Sequence, residues 1–138
     1  MPEEQGNKIL IVGENFWQQR VIENALGQIF KNQPKIYIKS RTLKEALPIL
    51  CANQSDLYGV FCYHNDRVNG VQLLENFQSL EGNKPVLFVL LVGEKFSNII
   101  GTAERMGIVC AKFPAHPISS LSLAKLVVEA IVKKSKEK

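Results

Sequence analysis

Short, almost wholly apolar runs alternate along the chain with longer stretches in which apolar residues return every third or fourth position. The runs are KILIV (Lys8 to Val12), KIYIK (Lys35 to Lys39), LYGVFCY (Leu57 to Tyr63), VLFVLLV (Val86 to Val92) and IVCAKF (Ile108 to Phe113). Their length and their β-branched content predict strands. Behind the first, Val21, Ile22, Ala25, Leu26 and Ile29 share one helical face, with Asn15 as cap and Gln18 in capping-box register. TLKE (Thr42 to Glu45) is a second capping box, ahead of Leu43, Ala46 and Leu47. A third helix begins after Asn69-Gly70 and turns Leu73, Leu74, Phe77 and Leu80 inward. A fourth carries Ile99, Ile100, Ala103 and Met106 and stops at Gly107, a common helix terminator. The last carries Leu123, Leu126, Val127, Ala130 and Ile131 before a basic tail.

Strands that alternate with helices predict an α/β fold: a doubly wound, five-stranded parallel sheet covered on both faces by five helices. The fourth run is apolar throughout, as a central strand should be. The second alternates Lys35, Ile36, Tyr37, Ile38 and Lys39, as an edge strand would, and its lysines discourage pairing with other chains. In such sheets ligands gather at the carboxyl ends of the strands, near the point where the winding reverses. Here those ends are Gly13 to Asn15, Tyr63 to Asp66, Val92 to Glu94 and Phe113 to Pro117.

Composition adds bounds. The 138 residues, 46% hydrophobic and 22% charged, suit one globular domain, expected over 8–132 between a flexible N-terminus at 1–7 and a basic tail at 133–138. No apolar run nears the roughly 20 residues of a membrane span, and the polar start MPEEQGNK is not of signal-peptide type. Three widely spaced cysteines offer neither a disulfide framework nor a metal motif, so reduced thiols and a cytoplasmic location are expected. The net charge of +4 is uneven: Lys31, Lys35, Lys39, Arg41 and Lys44 follow one another with no acidic residue among them. They read either as solvated edge-strand surface or as a patch for nucleic acid.

At this point the chain resembles the receiver domains of two-component response regulators, over Lys8 to Val132. The residues that carry the likeness are KILIVGEN at the first strand, NGVQLLENF (Asn69 to Phe77), AERMG (Ala103 to Gly107) and HPISSLSLAKLV (His116 to Val127). The resemblance implies a CheY-like fold with strand order 2-1-3-4-5. It also implies a pocket in which an acidic pair, a phosphoacceptor aspartate, a switch hydroxyl and a lysine cooperate with magnesium. Almost every part is altered here. The acidic pair corresponds to Gly13 and Glu14, and the acceptor position falls on Cys62 or His64, depending on the direction of counting. The switch hydroxyl falls on Leu91 or Val92, and the lysine on His116, ahead of Pro117, with Lys112 as its rival. Phe113 takes the switch-aromatic position.

Magnesium wants hard oxygen ligands, usually one or two carboxylates with water. A pocket with Glu14, supplemented at most by Asp66, serves it poorly, so aspartyl phosphorylation is not expected. Cys62, His64 and Asp66 alternate along the chain, but side chains two apart on a strand sit about 6.5 Å from one another, too far for a nucleophile–base hydrogen bond. Zinc would accept Cys62 or His64, His116 and Glu14, yet no compact ligand motif supports it. No glycine-rich phosphate loop follows the first strand. Trp17 either stands exposed beside the pocket or packs over the strand end.

The expectation is therefore a pseudo-receiver: no enzyme, no cofactor and no metal, working through protein contacts in signal transduction, with a protein partner or a second copy. The resemblance implies a partner surface on the fourth helix, fifth strand and fifth helix, with Glu104, Lys112, Lys125 and Glu129 as its candidate residues. The alternatives are a basic nucleic-acid-binding module and a phosphorelay regulator with an unorthodox acceptor.

Overall fold

A computed structural model describes residues 6–33, 35–53, 56–65, 67–79, 86–113 and 119–136. The elements follow in strict alternation: β1 (Lys8–Val12), α1 (Phe16–Ile29), β2 (Ile36–Ser40), α2 (Leu43–Asn53), β3 (Leu57–His64), α3 (Gly70–Gln78), β4 (Leu87–Gly93), a 3-10 turn (Glu94–Ile99), α4 (Ile100–Arg105), β5 (Val109–Phe113) and α5 (Ser120–Lys136). The strands form one parallel sheet in the order β2-β1-β3-β4-β5. This is the doubly wound, flavodoxin-like arrangement that the alternation predicts.

Side chains of a strand point to opposite faces in turn, so each central strand feeds two cores. Ile9, Ile11, Phe61, Tyr63, Val89, Leu91, Val109 and Ala111 meet Val21, Ile22, Ala25 and Leu26 of α1 and Leu123, Ala124 and Val127 of α5. Leu10, Val12, Val60, Cys62, Phe88, Leu90 and Val92 meet Ala46 and Leu50 of α2, Leu73, Leu74 and Phe77 of α3, and Ala103 of α4. Each fully buried Leu, Ile or Phe contributes about 1.5–3 kcal/mol. Those contributions offset the conformational entropy lost on folding.

The helix starts are specified locally. Asn15 Oδ1 accepts from Gln18 N at 2.9 Å, and Thr42 Oγ1 from Glu45 N at 3.1 Å. In both boxes the third residue reaches back one position beyond the usual target. Gln18 Oε1 accepts from Glu14 N at 2.7 Å, and Glu45 Oε1 from Arg41 N at 3.0 Å. Asn69 caps α3 in the same way, its Oδ1 accepting from Gln72 N at 3.1 Å. Gly107, at φ +87°, ends the α4 segment in the left-handed region that glycine tolerates best.

Asn7 is joined to the sheet, its carbonyl accepting from Ile36 N at 2.8 Å. Helix α5 runs on through Lys136. After β4 the chain enters a 3-10 turn bent at Phe96 (φ −111°, ψ 19°), whose ring lies edge-on to His64, with centroids 5.8 Å apart. No helix among the described residues is long and apolar enough to cross a membrane.

Helix α3 starts flush against the sheet. A Cβ on Gly70 would stand 2.1 Å from Leu90 Cδ1 and 3.1 Å from Cys62 Sγ. Gly70→Ala should therefore cost about 1–3 kcal/mol through overpacking. Gly101→Ala, where a Cβ meets only the Arg105 guanidinium at 3.8 Å, should stabilise by up to about 1 kcal/mol. Urea unfolding of the two variants beside the parent checks both signs.

Candidate functional site

Parallel strands bring all their carboxyl ends to one edge of the sheet, and the β1–α1 and β3–α3 turns meet there. The β1 turn is tight. Gly13 N donates to Ser40 O at 3.0 Å, and α1 folds back over it so closely that a Cβ on Gly13 would meet Gln18 Cβ and Gln19 Cγ, both at 3.2 Å. Gln19 is buried, and its Nε2 donates to Gly13 O at 3.0 Å and Ser40 O at 3.1 Å. The first position of the acidic pair is thus closed by helix packing, and a buried amide clamps the ends of β1 and β2.

Glu14 remains, and the chain satisfies it. Asn65 Nδ2 donates to Glu14 Oε1 at 3.0 Å, and Arg67 Nη1 lies 3.2 Å from Oε2. Asn65 organises its own loop as well. Its Oδ1 accepts from Arg67 N at 2.9 Å and Val68 N at 2.8 Å, and its backbone N donates to Val68 O at 3.0 Å. Arg67 is itself largely exposed, with 83% of its side chain in water, so the ion pair alone adds little stability. Its effect is local: a cation and an amide supplied by the chain occupy both oxygens of the carboxylate.

The two candidates for the acceptor position differ in depth. His64 is the last residue of β3, buried, with Nδ1 accepting from Gly70 N at 3.4 Å. Cys62 lies two residues inside, paired with Leu90 across β4 and packed against Gly70. Burial pushes its thiol up to about 12, so the thiolate that nucleophilic chemistry needs is strongly disfavoured. Both side chains point to the α2–α3 face, as does Val92, while Leu91 points to the α1–α5 face. Asp66, His116 and Pro117 lie outside the described residues. Among the described residues, no three of His, Cys, Asp and Glu gather at one point. Phe113 closes β5 opposite Gly93. Tyr63 turns to the other face, edge-on to Trp17 with centroids 6.3 Å apart, and burial pushes its hydroxyl up to about 12. Trp17 therefore does both things weighed for it, packing over the strand end while 44% exposed.

The surface residues separate. Glu104 is exposed on α4, which packs on the α2–α3 side of the sheet, and Lys112 is exposed on β5. Lys125 and Glu129, expected beside them, instead line a groove between α1 and α5. Helix α5 buries Leu123, Ala124 and Val127 and packs Leu126, Ala130 and Ile131 against the same core, which leaves Lys125 and Glu129 on the flank that lines this groove. The basic cluster is partly engaged within the chain. Lys35 Nζ lies over the rings of Tyr58 and Phe30, at 4.3 and 5.2 Å, Lys39 pairs with Glu23, and Arg41 Nε donates to Glu14 O at 3.3 Å. Lys31 and Lys44 are exposed. Three of the five cations thus have partners within the chain.

Gln19, Asn65 and Arg67 hold the site and were not anticipated from the sequence. The usable signal was an Asn directly after a strand, a position where Asx turns form.

No family model and no curated protein matches the chain. Solved structures share its fold. A response regulator receiver domain protein from Clostridium thermocellum superposes with a TM-score of 0.63 at 15% identity, over 95% of this chain and 98% of that one. A lysine decarboxylase from Francisella novicida gives 0.60 at 13% identity, over 95% of this chain but only 18% of that one. A structure described as adenylate cyclase from Rhodopirellula baltica gives 0.57 at 15% identity, over 96% and 95%. At these identities the likeness shows the fold, a receiver-like one.

Burial of Cys62 has a signed consequence. Below its ordinary value of 9.0 both folded and unfolded chains keep the thiol proton, and the stability is fully present. As pH rises from 9.0 toward 12, the unfolded chain loses that proton while the folded chain keeps it, so stability falls. Tyr63 adds to the same loss between 10.0 and about 12. Urea midpoints should decline across this alkaline range, and Cys62→Ala should shallow the decline while lowering stability at neutral pH. In thiol labelling of the native protein near neutral pH, exposed Cys51 should react and Cys62 should react only on unfolding.

Proposed function

We propose that this chain is an atypical receiver-type domain that works in cytoplasmic signal transduction by phosphorylation-independent contact with a protein partner, without catalysis. The observation that carries this reading is the state of Glu14. It is the carboxylate between β1 and β3, and Asn65 and Arg67 already occupy both of its oxygens. A magnesium ion would have to displace Arg67 and would then find a buried His64 in place of an aspartate. Beyond it stands Val92, wholly buried and without a hydroxyl to follow a phosphoryl group. An acyl phosphate needs a carboxylate to form on and cationic or hydrogen-bonding groups for its oxygens. The pocket offers neither in usable form among the described residues.

The fold shared with a receiver domain supports signalling as the setting. Three free cysteines suit a reducing compartment. Without a phosphorylation-driven change, the partner surface is constant, and a partner shifts the domain between states only by binding one of them more tightly.

The test is an amide NMR titration of the whole chain with magnesium, followed by beryllofluoride. The expected result is no saturable shift at Glu14 or from Cys62 to Asn65. Saturable shifts there that spread to Phe113 and α5 would mean that a phosphoryl switch operates, and the reading would be wrong.

A further inference from the structure

Helix α5 leaves an apolar stripe in water. Leu121, Val128 and Val132 are 55%, 42% and 45% exposed, on a helix whose opposite face is buried against the sheet. They follow one another at seven and four residues, and Lys125 fills the intervening turn, so all four lie in one line along the helix. The stripe borders an open groove of about 820 Å³ between α5 and the last turns of α1, with Gly27, Ile29, Ala124 and Glu129 in its lining. A Cβ at Gly27 would have nothing within 4 Å, so a second helix can approach the groove closely.

The charges on this face have a particular symmetry. Lys125 and Glu129 stand one turn apart on the same flank, exposed, and neither enters an ion pair among the described residues. Two opposite charges one turn apart are complementary to themselves when the helix is turned end for end. With a two-fold axis level with Leu126 and Val127, Leu121 of one copy faces Val132 of the other. The two Val128 side chains then meet near the centre. Lys125 of one copy and Glu129 of the second differ by one residue along the axis, about 1.5 Å, and the same pair forms again on the far side of the axis.

We infer that α5 and the α1–α5 groove form a two-fold interface between two copies of this chain, with the α5 helices antiparallel and two reciprocal Lys125–Glu129 pairs. The residues themselves select a second copy as the occupant. Lys31 lines the groove as well, yet a strongly acidic partner would still repel Glu129, and a basic one would repel Lys125 and Lys31. The same stripe turned about two-fold satisfies both while its aliphatic side chains cover each other. The surface is distinct from the strand-end pocket, so dimerisation stands or falls independently of the reading of Glu14.

Sedimentation equilibrium of the full chain over a range of concentrations tests this, with the parent, Lys125→Glu, Glu129→Lys and the double exchange Lys125→Glu/Glu129→Lys. The parent should be a reversible dimer. Each single exchange sets like charges opposite each other and should raise the dissociation constant about tenfold or more. The double exchange should restore it, because the reversed pairs are again reciprocal. Val128→Asp should give a monomer whose circular dichroism matches the parent, since the residue is exposed. A parent that stays monomeric at every concentration overturns the inference and leaves the stripe to a different protein. A dimer indifferent to the single exchanges overturns it equally, because the copies would then meet elsewhere.

Discussion

β1 and β3 lie side by side where the winding of the chain reverses, and neither has a face open to water. This two-sided burial is the constraint behind most of the molecule. It demands helices on both faces, which only the strand–helix alternation can supply, and it makes the strands parallel. Parallel strands then bring all their carboxyl ends together, and the turns after β1 and β3 must share that edge. Every polar group in those turns has to find a partner in little space, and the partners it finds decide what the site can do.

The chain resolves that crowding with its own side chains. Gln19 satisfies two backbone carbonyls at the ends of β1 and β2, and Asn65 holds both its own loop and Glu14. Arg67 supplies the positive charge beside the carboxylate. A buried polar group left without a partner costs free energy. Here Glu14 gets internal hydrogen bonds where an open pocket would have left it to an ion and water. His64 and Cys62, both buried on the α2–α3 face, complete a site that is packed and neutralised. On the outer side of the sheet, α5 exposes aliphatic side chains beside Lys125 and Glu129, two charges without an ion pair among the described residues.

Much of the architecture was legible along the chain because period is a local property. The apolar run of β4, the lysine-flanked β2 and the caps at Asn15, Thr42 and Asn69 reflect rules that act within a few residues. So does the stop at Gly107. The absence of a hydroxyl from Pro85 to Lys95 was legible too, since it needs no coordinates. So was the inward face of α5, since Leu123, Leu126, Val127, Ala130 and Ile131 all pack on the core. What lies beside the helix was not legible: only the placement of α1 sets Lys125 and Glu129 on a shared groove.

The sequence by itself therefore determined the doubly wound sheet and the order of its elements, because each rests on residue type and short-range spacing. Tertiary structure alone decided that Asn65 and Arg67, more than fifty positions from Glu14 in the chain, close upon its carboxylate. It alone packed α1 onto Gly13 and set the exposed stripe of α5 beside the α1 groove. Contacts between distant segments depend on how strands pair and helices pack, and no local pattern records which side chains those choices bring face to face.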